Sequence, residues 1–415
     1  MDTQTPGEQT AMNQPEAPRF PFPAAPVPYD PAPEIRQLTA KCPVTKVTLP
    51  NDSTAWLVTG YDQTREVVID QRYSRTLAYA PGRPVYGVEA MAAGTLNAMD
   101  PPEHSQYRKL VAGAFTGKRI EALRPQVAKI VDNAIDAMLA GPRPADLAHS
   151  FSLMVSARVI CLLLGVPVAD IGKFSEWSNT MFGDWSRPPE RIAEAQAAIG
   201  GYMAGLIDQK RKAPGDDLIS VLTDARDTGG KLTEDELVRF CFVLLAGGHE
   251  TTANMISLSF VALCQHPAEL DQMRADLDLI PAAVEELLRY VDINGSGFVP
   301  FSRITREEVS LGGLTIPAGE AVLAWYQAAN RDPAAFGDPD RLDLDRPPRA
   351  HLGFGAGAHH CLGGQLARIE LQEAFRGLLT RLPSLRMAIP MSDLEFREGQ
   401  SIMSIRELPV TWDDI

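Results

Sequence analysis

A single cysteine embedded in glycines and set directly ahead of a helix constrains this chain more than any other feature. The stretch reads His351-Leu-Gly-Phe354-Gly-Ala-Gly357-Ala-His359-His360-Cys361-Leu-Gly363-Gly364-Gln-Leu-Ala-Arg368. From Leu362 onward, Leu366, Ile369, Ala374, Leu378 and Leu379 approximate the buried face of a helix. Cys361 therefore falls at the positive end of a helix dipole, a position that favours a thiolate. Gly355, Gly357, Gly363 and Gly364 remove side chains on both flanks, so backbone N–H groups and a flat ligand can approach the sulfur. Two plainer readings stand beside this one. The first is a free cysteine packed at a helix start. The second is zinc on His359, His360 and Cys361, which lacks a second ligand pair nearby in sequence to complete a tetrahedral site.

The rest of the chain supplies a large soluble frame for that segment. Of its 415 residues 45% are hydrophobic and 22% charged, a globular balance, and Lys+Arg 39 against Asp+Glu 53 leaves a net charge of −14. That acidic field repels phosphate backbones and anionic membrane faces, which argues against nucleic acid or a membrane as partner. Cys42, Cys161, Cys241, Cys264 and Cys361 are odd in number and scattered, so neither a disulfide framework nor a zinc ribbon is indicated, and a cytoplasmic setting fits.

The N-terminus carries no basic start and apolar stretch of a signal peptide, and no run of about 18 apolar residues follows. Residues 1–30 are expected to be a disordered, proline-rich tail, and 31–415 a single domain. Val44 to Leu49 and Ala55 to Val58 flank the turn-prone Pro50-Asn51-Asp52-Ser53 and predict a hairpin. From Tyr107 to Leu288 the periodicity is helical, as in Ile120 to Leu139, Phe151 to Leu164 and Ile192 to Lys210. Strand patterns return only at Val309 to Leu323 and Leu408 to Trp412. The fold class is mainly α with a small β region.

Three further motifs carry chemistry. An apolar helical stretch from Cys241 to Cys264 is interrupted by Ala246-Gly247-Gly248-His249-Glu250-Thr251-Thr252. Glycines and threonines weaken a helix interior, but small residues beside an acid and an alcohol make room for a diatomic ligand and a proton source. Glu286 and Arg289 of Glu285-Glu286-Leu-Leu-Arg289 stand at i and i+3, where they can pair. In Met99-Asp100-Pro101-Pro102-Glu103-His104-Ser-Gln-Tyr-Arg108 the prolines open a helix whose His104 and Arg108 share a face, two donors suited to an anionic group. Each alone reads equally well as a solvated charged face or a polar patch on a buried helix.

Read together, Phe354, Gly357, Cys361 and Gly363 closely resemble the haem-binding loop of the cytochrome P-450 family, and the other motifs follow in that family's order. The resemblance runs from about Asp30 to Trp412 and is strongest to soluble bacterial members. It implies a triangular, mainly helical prism holding haem b, with Cys361 as iron ligand and His104, Arg108, Arg303 and His359 on the haem propionates. It also implies that Thr251 holds iron-bound dioxygen, that Glu250 feeds protons, and that Glu286 and Arg289 form a structural pair joined by Arg341. Leu342, beside Arg341, stands where an aromatic residue is usual.

By matching segments, Val243, Ala246, Gly247, Val299, Phe301, Ile402 and Met403 line the substrate pocket. Leu77 to Asn97 and Thr180 to Ala198, with Met181, Phe182 and Trp185, form its lid. The implied reaction is monooxygenation of a medium-to-large hydrophobic natural product. Electrons come from a ferredoxin and its NAD(P)H-dependent reductase, since no segment reads as a flavin or iron–sulfur module. Arg108, Lys109, Lys118 and Arg119 are the expected docking patch on what the resemblance implies is a monomer. Oxidative coupling or desaturation of a carrier-bound substrate, and a non-catalytic haem protein, are the alternatives.

Overall fold

The computed structural model describes residues 17–414 apart from 24, 28, 81–94, 114, 183–187, 230–231, 295–301 and 398–401. Helices α1 (Pro33–Lys41), α2 (Tyr61–Ile69), α3 (Glu103–Ala112), α4 (Gly117–Glu121) and α5 (Arg124–Leu139) come first. They are followed by α6 (Leu153–Leu164), α7 (Ile171–Phe182), α8 (Pro189–Lys212), α9 (Leu218–Gly229) and the 32-residue α10 (Glu234–Gln265). After it come α11 (Pro267–Ala275), α12 (Ile280–Tyr290), α13 (Tyr326–Asn330) and α14 (Gly364–Arg381). No helix among the described residues is long and apolar enough to cross a membrane.

The expected helix from Ile120 to Leu139 is broken in two. Pro125 lacks an N–H and suits a helix start, so a new helix begins at Arg124. The expected hairpin forms as β1 (Val44–Thr48) and β2 (Thr54–Val58), in register Val44 with Val58. With β3 (Tyr73–Ser74), β5 (Ser302–Thr305) and β8 (Ala321–Ala324) it makes a five-stranded sheet of order β1-β2-β8-β5-β3. Two small sheets complete the β region, one of β4 (Ala145–Asp146), β9 (Arg386–Met387) and β10 (Pro409–Thr411), the other of β6 (Val309–Leu311) and β7 (Leu314–Ile316).

The core is built around α10. A capping box closes its first turn: the Glu236 N–H donates to Thr233 Oγ1 at 3.2 Å, and the Thr233 N–H donates to Glu236 Oε2 at 2.7 Å. Every residue from Thr252 to Leu263 is buried. The helix lies against α6 so closely that a Cβ on Gly248 would sit 2.5 Å from Ile160 Cδ1. Gly247, one residue earlier, meets nothing within 4 Å. Of the two glycines, then, Gly248 permits the helix crossing and Gly247 opens the cavity described below.

The proline-rich tail is not free from residue 17 on. The Phe20 N–H donates to Thr48 O and the Thr48 N–H to Pro18 O, both at 2.9 Å. Phe20 and Phe22 are buried, and the Phe20 ring stands edge-on to Trp325 at 5.3 Å. Tyr29 is buried against Tyr290, and Asp30 pairs with Arg331 at 3.0 Å. The expectation of a disordered tail to residue 30 is thus corrected for this strap, which the apolar aromatics at 20, 22 and 29 tie down. Residues 1–16 lie outside the described residues.

Candidate active site

One cavity of about 480 Å³ brings together most of the residues singled out in sequence. Cys361, Phe354, Gly363, His359, His104, Arg108, Arg303, Val243, Ala246, Gly247, Glu250, Thr251 and Ile402 all line it. Met403 does not: it packs against the main core, and its N–H donates to Ile293 O at 2.6 Å, since neighbours along an extended chain point to opposite sides. Val299, Phe301, Trp185 and the side chains of Met181 and Phe182 lie outside the described residues. Of the expected first lid loop, Thr95, Leu96 and Asn97 reach the cavity.

The cysteine loop is held by its own backbone. The Cys361 N–H donates to Phe354 O at 2.8 Å. Gly357 has φ +67°, and a Cβ there would sit 2.9 Å from Val68 O, so both conformation and space demand glycine. The Cys361 sulfur opens onto the cavity and is walled by protein elsewhere. Burial pushes its thiol pKa up, against the N–H groups of Gly363 and Gly364 and the charges of Arg108 and Arg368. The N–H groups at the helix start thus favour the thiolate, and burial outweighs them.

On the central helix Glu250 is buried, which raises its pKa to about 7, while Arg397 pulls it back down. The Thr251 hydroxyl donates to Gly247 O at 2.7 Å, which leaves its oxygen free to accept from a group in the cavity.

The polar edge of the cavity has donors without acceptors. His104 is 1% exposed, both of its ring nitrogens lack partners, and Nη1 of the buried Arg303 lacks one too. The His104 and His359 rings lie 4.4 Å apart, and burial, with His104, Arg303 and Arg75 nearby, lowers the His359 pKa to about 3. Arg108 donates to His360 O. Unpaired buried donors are costly, and a group bearing carboxylates at this edge would satisfy them. A flat, carboxylate-bearing macrocycle with an open metal site over Cys361 fits the donor set.

Sequence reading missed Arg75, whose guanidinium donates to Asn97 O, Ser302 O and Tyr79 Oη at 2.7 to 2.9 Å and also lines the cavity. No motif surrounds it, because its position depends on β3 pairing with β5. It also missed Glu370, wholly buried on α14, whose carboxyl burial pushes well above its ordinary range despite the Ser156 hydroxyl nearby.

The structural pair is as expected and its third member is not. Arg289 donates to Glu286 through Nε at 2.8 Å and Nη2 at 2.7 Å. The arginine that joins them is Arg346, whose Nε reaches Glu286 Oε1 at 3.0 Å, and not Arg341. Arg341 is exposed and contributes only its backbone carbonyl, which accepts from Arg289 at 3.2 Å and Arg346 at 2.8 Å. Glu285, next to this pair, takes a separate role. Burial alone would raise its pKa, but His351 and Arg368 hold it down to about 2.

Comparison with known proteins agrees with this geometry. The chain is 42% identical over 404 residues to nocardicin C N-oxygenase of Nocardia uniformis subsp. tsuyamanensis, covering 97% of this chain and 100% of that protein. It is 46% identical over 371 residues to mycinamicin IV hydroxylase/epoxidase of Micromonospora griseorubida, covering 89% and 92%. It superposes on the crystal structure of the LnmA cytochrome P-450 hydroxylase from the leinamycin pathway of Streptomyces atroolivaceus with a TM-score of 0.89 and 39% identity, over 95% of this chain and 100% of that one. The family model for cytochrome P-450 matches residues 35–383, and with relatives this similar over their whole length the chain belongs to the cytochrome P-450 family, as a monooxygenase.

Proposed function

We propose that this chain hydroxylates or epoxidises a medium-to-large hydrophobic secondary metabolite, using haem b and electrons from a ferredoxin and its NAD(P)H-dependent reductase. We further place it in the cytoplasm as a monomer. The observation that carries the reading is the shared cavity, lined by Cys361, by the acid–alcohol pair Glu250 and Thr251, and by the unpartnered donors of His104 and Arg303. Relatives named for nocardicin C and mycinamicin IV support a secondary metabolite as substrate.

A thiolate-ligated haem, when bound, activates dioxygen for insertion into an unreactive carbon. Cys361 would hold the iron through its sulfur, with Phe354, Gly357 and Gly363 shaping the room beside it. His104, Arg108, Arg303 and His359, joined by Arg75, would hold the propionates through charge-assisted bonds. Thr251, its own proton committed to Gly247 O, accepts from a proton-bearing group above the cysteine. Glu250, with a pKa near 7, can hold and release a proton at the same place. Val243, Ala246 and Ile402 exclude water and seat the apolar body.

The test is reconstituted turnover with ferredoxin, reductase and NADPH against macrolides, polyketides, terpenoids and cyclic peptides, read by product mass. A gain of one oxygen supports the proposal, and loss of two hydrogens favours coupling or desaturation. Thr251→Ala should keep haem but divert electrons to peroxide, lowering product per NADPH by about tenfold or more. Coupling at the wild-type level would remove Thr251 from this role.

For the ferredoxin surface, Arg108, Lys109 and Lys118 remain candidates, whereas Arg119 already pairs with Asp216 at 2.7 Å. Lys109 and Lys118 are exposed. Reversing both charges should slow reduction by ferredoxin several-fold at low salt and flatten its salt dependence. An unchanged rate at every ionic strength would relocate the docking site.

A further inference from the structure

The cavity face of α10 has a cation at one end that the chemistry above leaves unused. Arg239, Val243, Ala246 and Glu250 succeed one another at helical spacing, and all four line the cavity. At 1.5 Å per residue, Arg239 stands about 16 Å along the axis from Glu250, with an apolar stretch between them. Phe240 and Phe242 line the cavity beside it.

Arg239 is exposed toward this space, and among the described residues it makes no ion pair. Glu236, the acid at i−3 on the same helix, is already committed. It accepts from Tyr107 Oη through Oε1, and from the Thr233 N–H at 2.7 Å and hydroxyl at 2.9 Å through Oε2. The capping box of α10 and the phenol of Tyr107 thus hold Glu236 in place. The Thr233 N–H and the Tyr107 hydroxyl are the main causes that lower the Glu236 pKa, and Arg239 adds only a smaller effect through space. A guanidinium on the cavity wall beside Phe240, Phe242 and Val243, with its donor fork open, matches a carboxylate in planar, two-point geometry.

We infer that Arg239 is a specificity-determining residue that anchors a carboxylate on the substrate, so that an acidic group held about 16 Å along α10 from Glu250 selects and orients an otherwise apolar molecule. This rests on the monooxygenase reading for the location of the oxidised carbon, and it narrows the substrate class to amphipathic acids. The cations at the other edge, Arg75, Arg108 and Arg303, are set apart from it by their engagement with backbone carbonyls or by burial beside His104.

The experiment uses the haem-loaded protein and two probes of equal chain length, tetradecanoate and its methyl ester. Binding is followed both by the Soret shift and by calorimetry, in the wild type, Arg239→Gln and Arg239→Lys. The wild type should bind the acid about tenfold more tightly than the ester, and added salt should weaken the acid alone. In Arg239→Gln the two probes should bind within about twofold of each other, with ester affinity and the ferrous carbonyl spectrum unchanged, and Arg239→Lys should retain part of the preference. The inference is overturned if the wild type does not prefer the acid, if Arg239→Gln keeps the preference, or if tetradecanoate binds by neither readout. Failure of the haem-thiolate reading would show separately, as a ferrous carbonyl complex without a red-shifted Soret band, whatever calorimetry reports for Arg239.

Discussion

Cys361→Ala abolishes the red-shifted Soret band of the ferrous carbonyl complex and with it all ferredoxin-supported turnover. The substitution is well suited to the question, because what holds the loop is not the side chain. The Cys361 N–H bond to Phe354 O and the left-handed Gly357 survive it. Burial raises the Cys361 thiol, but a bound metal cation deprotonates a coordinating thiol outright, and two N–H groups and two arginines already favour the anion. Loss of the sulfur therefore removes the ligand and little else. A variant that keeps the red-shifted band would refute the assignment of Cys361 as the ligand.

The second large effect belongs to Glu286. Glu286→Ala should lower stability by about 3–5 kcal/mol, read as a fall in the denaturant midpoint, because it leaves Arg289 and Arg346 buried without their anion. The Glu286 and Arg289 side chains are only 5% and 2% exposed, and the Asp343 N–H also depends on Glu286 Oε1, at 2.9 Å. Arg346→Ala should be clearly destabilising, and Arg341→Ala should change stability by about 0.5 kcal/mol or less, since only the Arg341 carbonyl takes part. The reverse order for the two arginines would restore Arg341 to the cluster.

These two sites show what a sequence can and cannot disclose. The cysteine loop was legible because its constraints are local: glycines, a helix start and a sulfur lie within a dozen residues. The Glu286–Arg289 pair was legible for the same reason, being one helical turn apart. Its third member was not, because Arg341 and Arg346 lie in one irregular segment, and only the path of that segment decides which guanidinium turns inward. The doubled glycine before Glu250 was found, but its division of labour needed Ile160 on another helix. Arg75 and Glu370 carry no local pattern at all. Their place in the cavity wall comes from strand pairing and helix packing between distant segments. Helices were found more readily than their ends, as the break at Ala122 and Leu123 shows.

The strap from residue 17 to residue 30 bears on how the molecule is made. Some of its partners lie nearby in sequence, as Thr48 does, but Trp325 and Arg331 come about 300 residues later, and Arg36 likewise pairs with Asp340. At ribosomal rates of about 5–20 residues per second, the strap waits roughly 15–60 s for this distant part of its surface. During that interval Phe20 lacks its contact with Trp325 and Asp30 its pair with Arg331. Full docking of the strap is thus a late event of biosynthesis, and Trp325, next to the cavity-lining Tyr326 and Gln327, gains its contact with Phe20 only then.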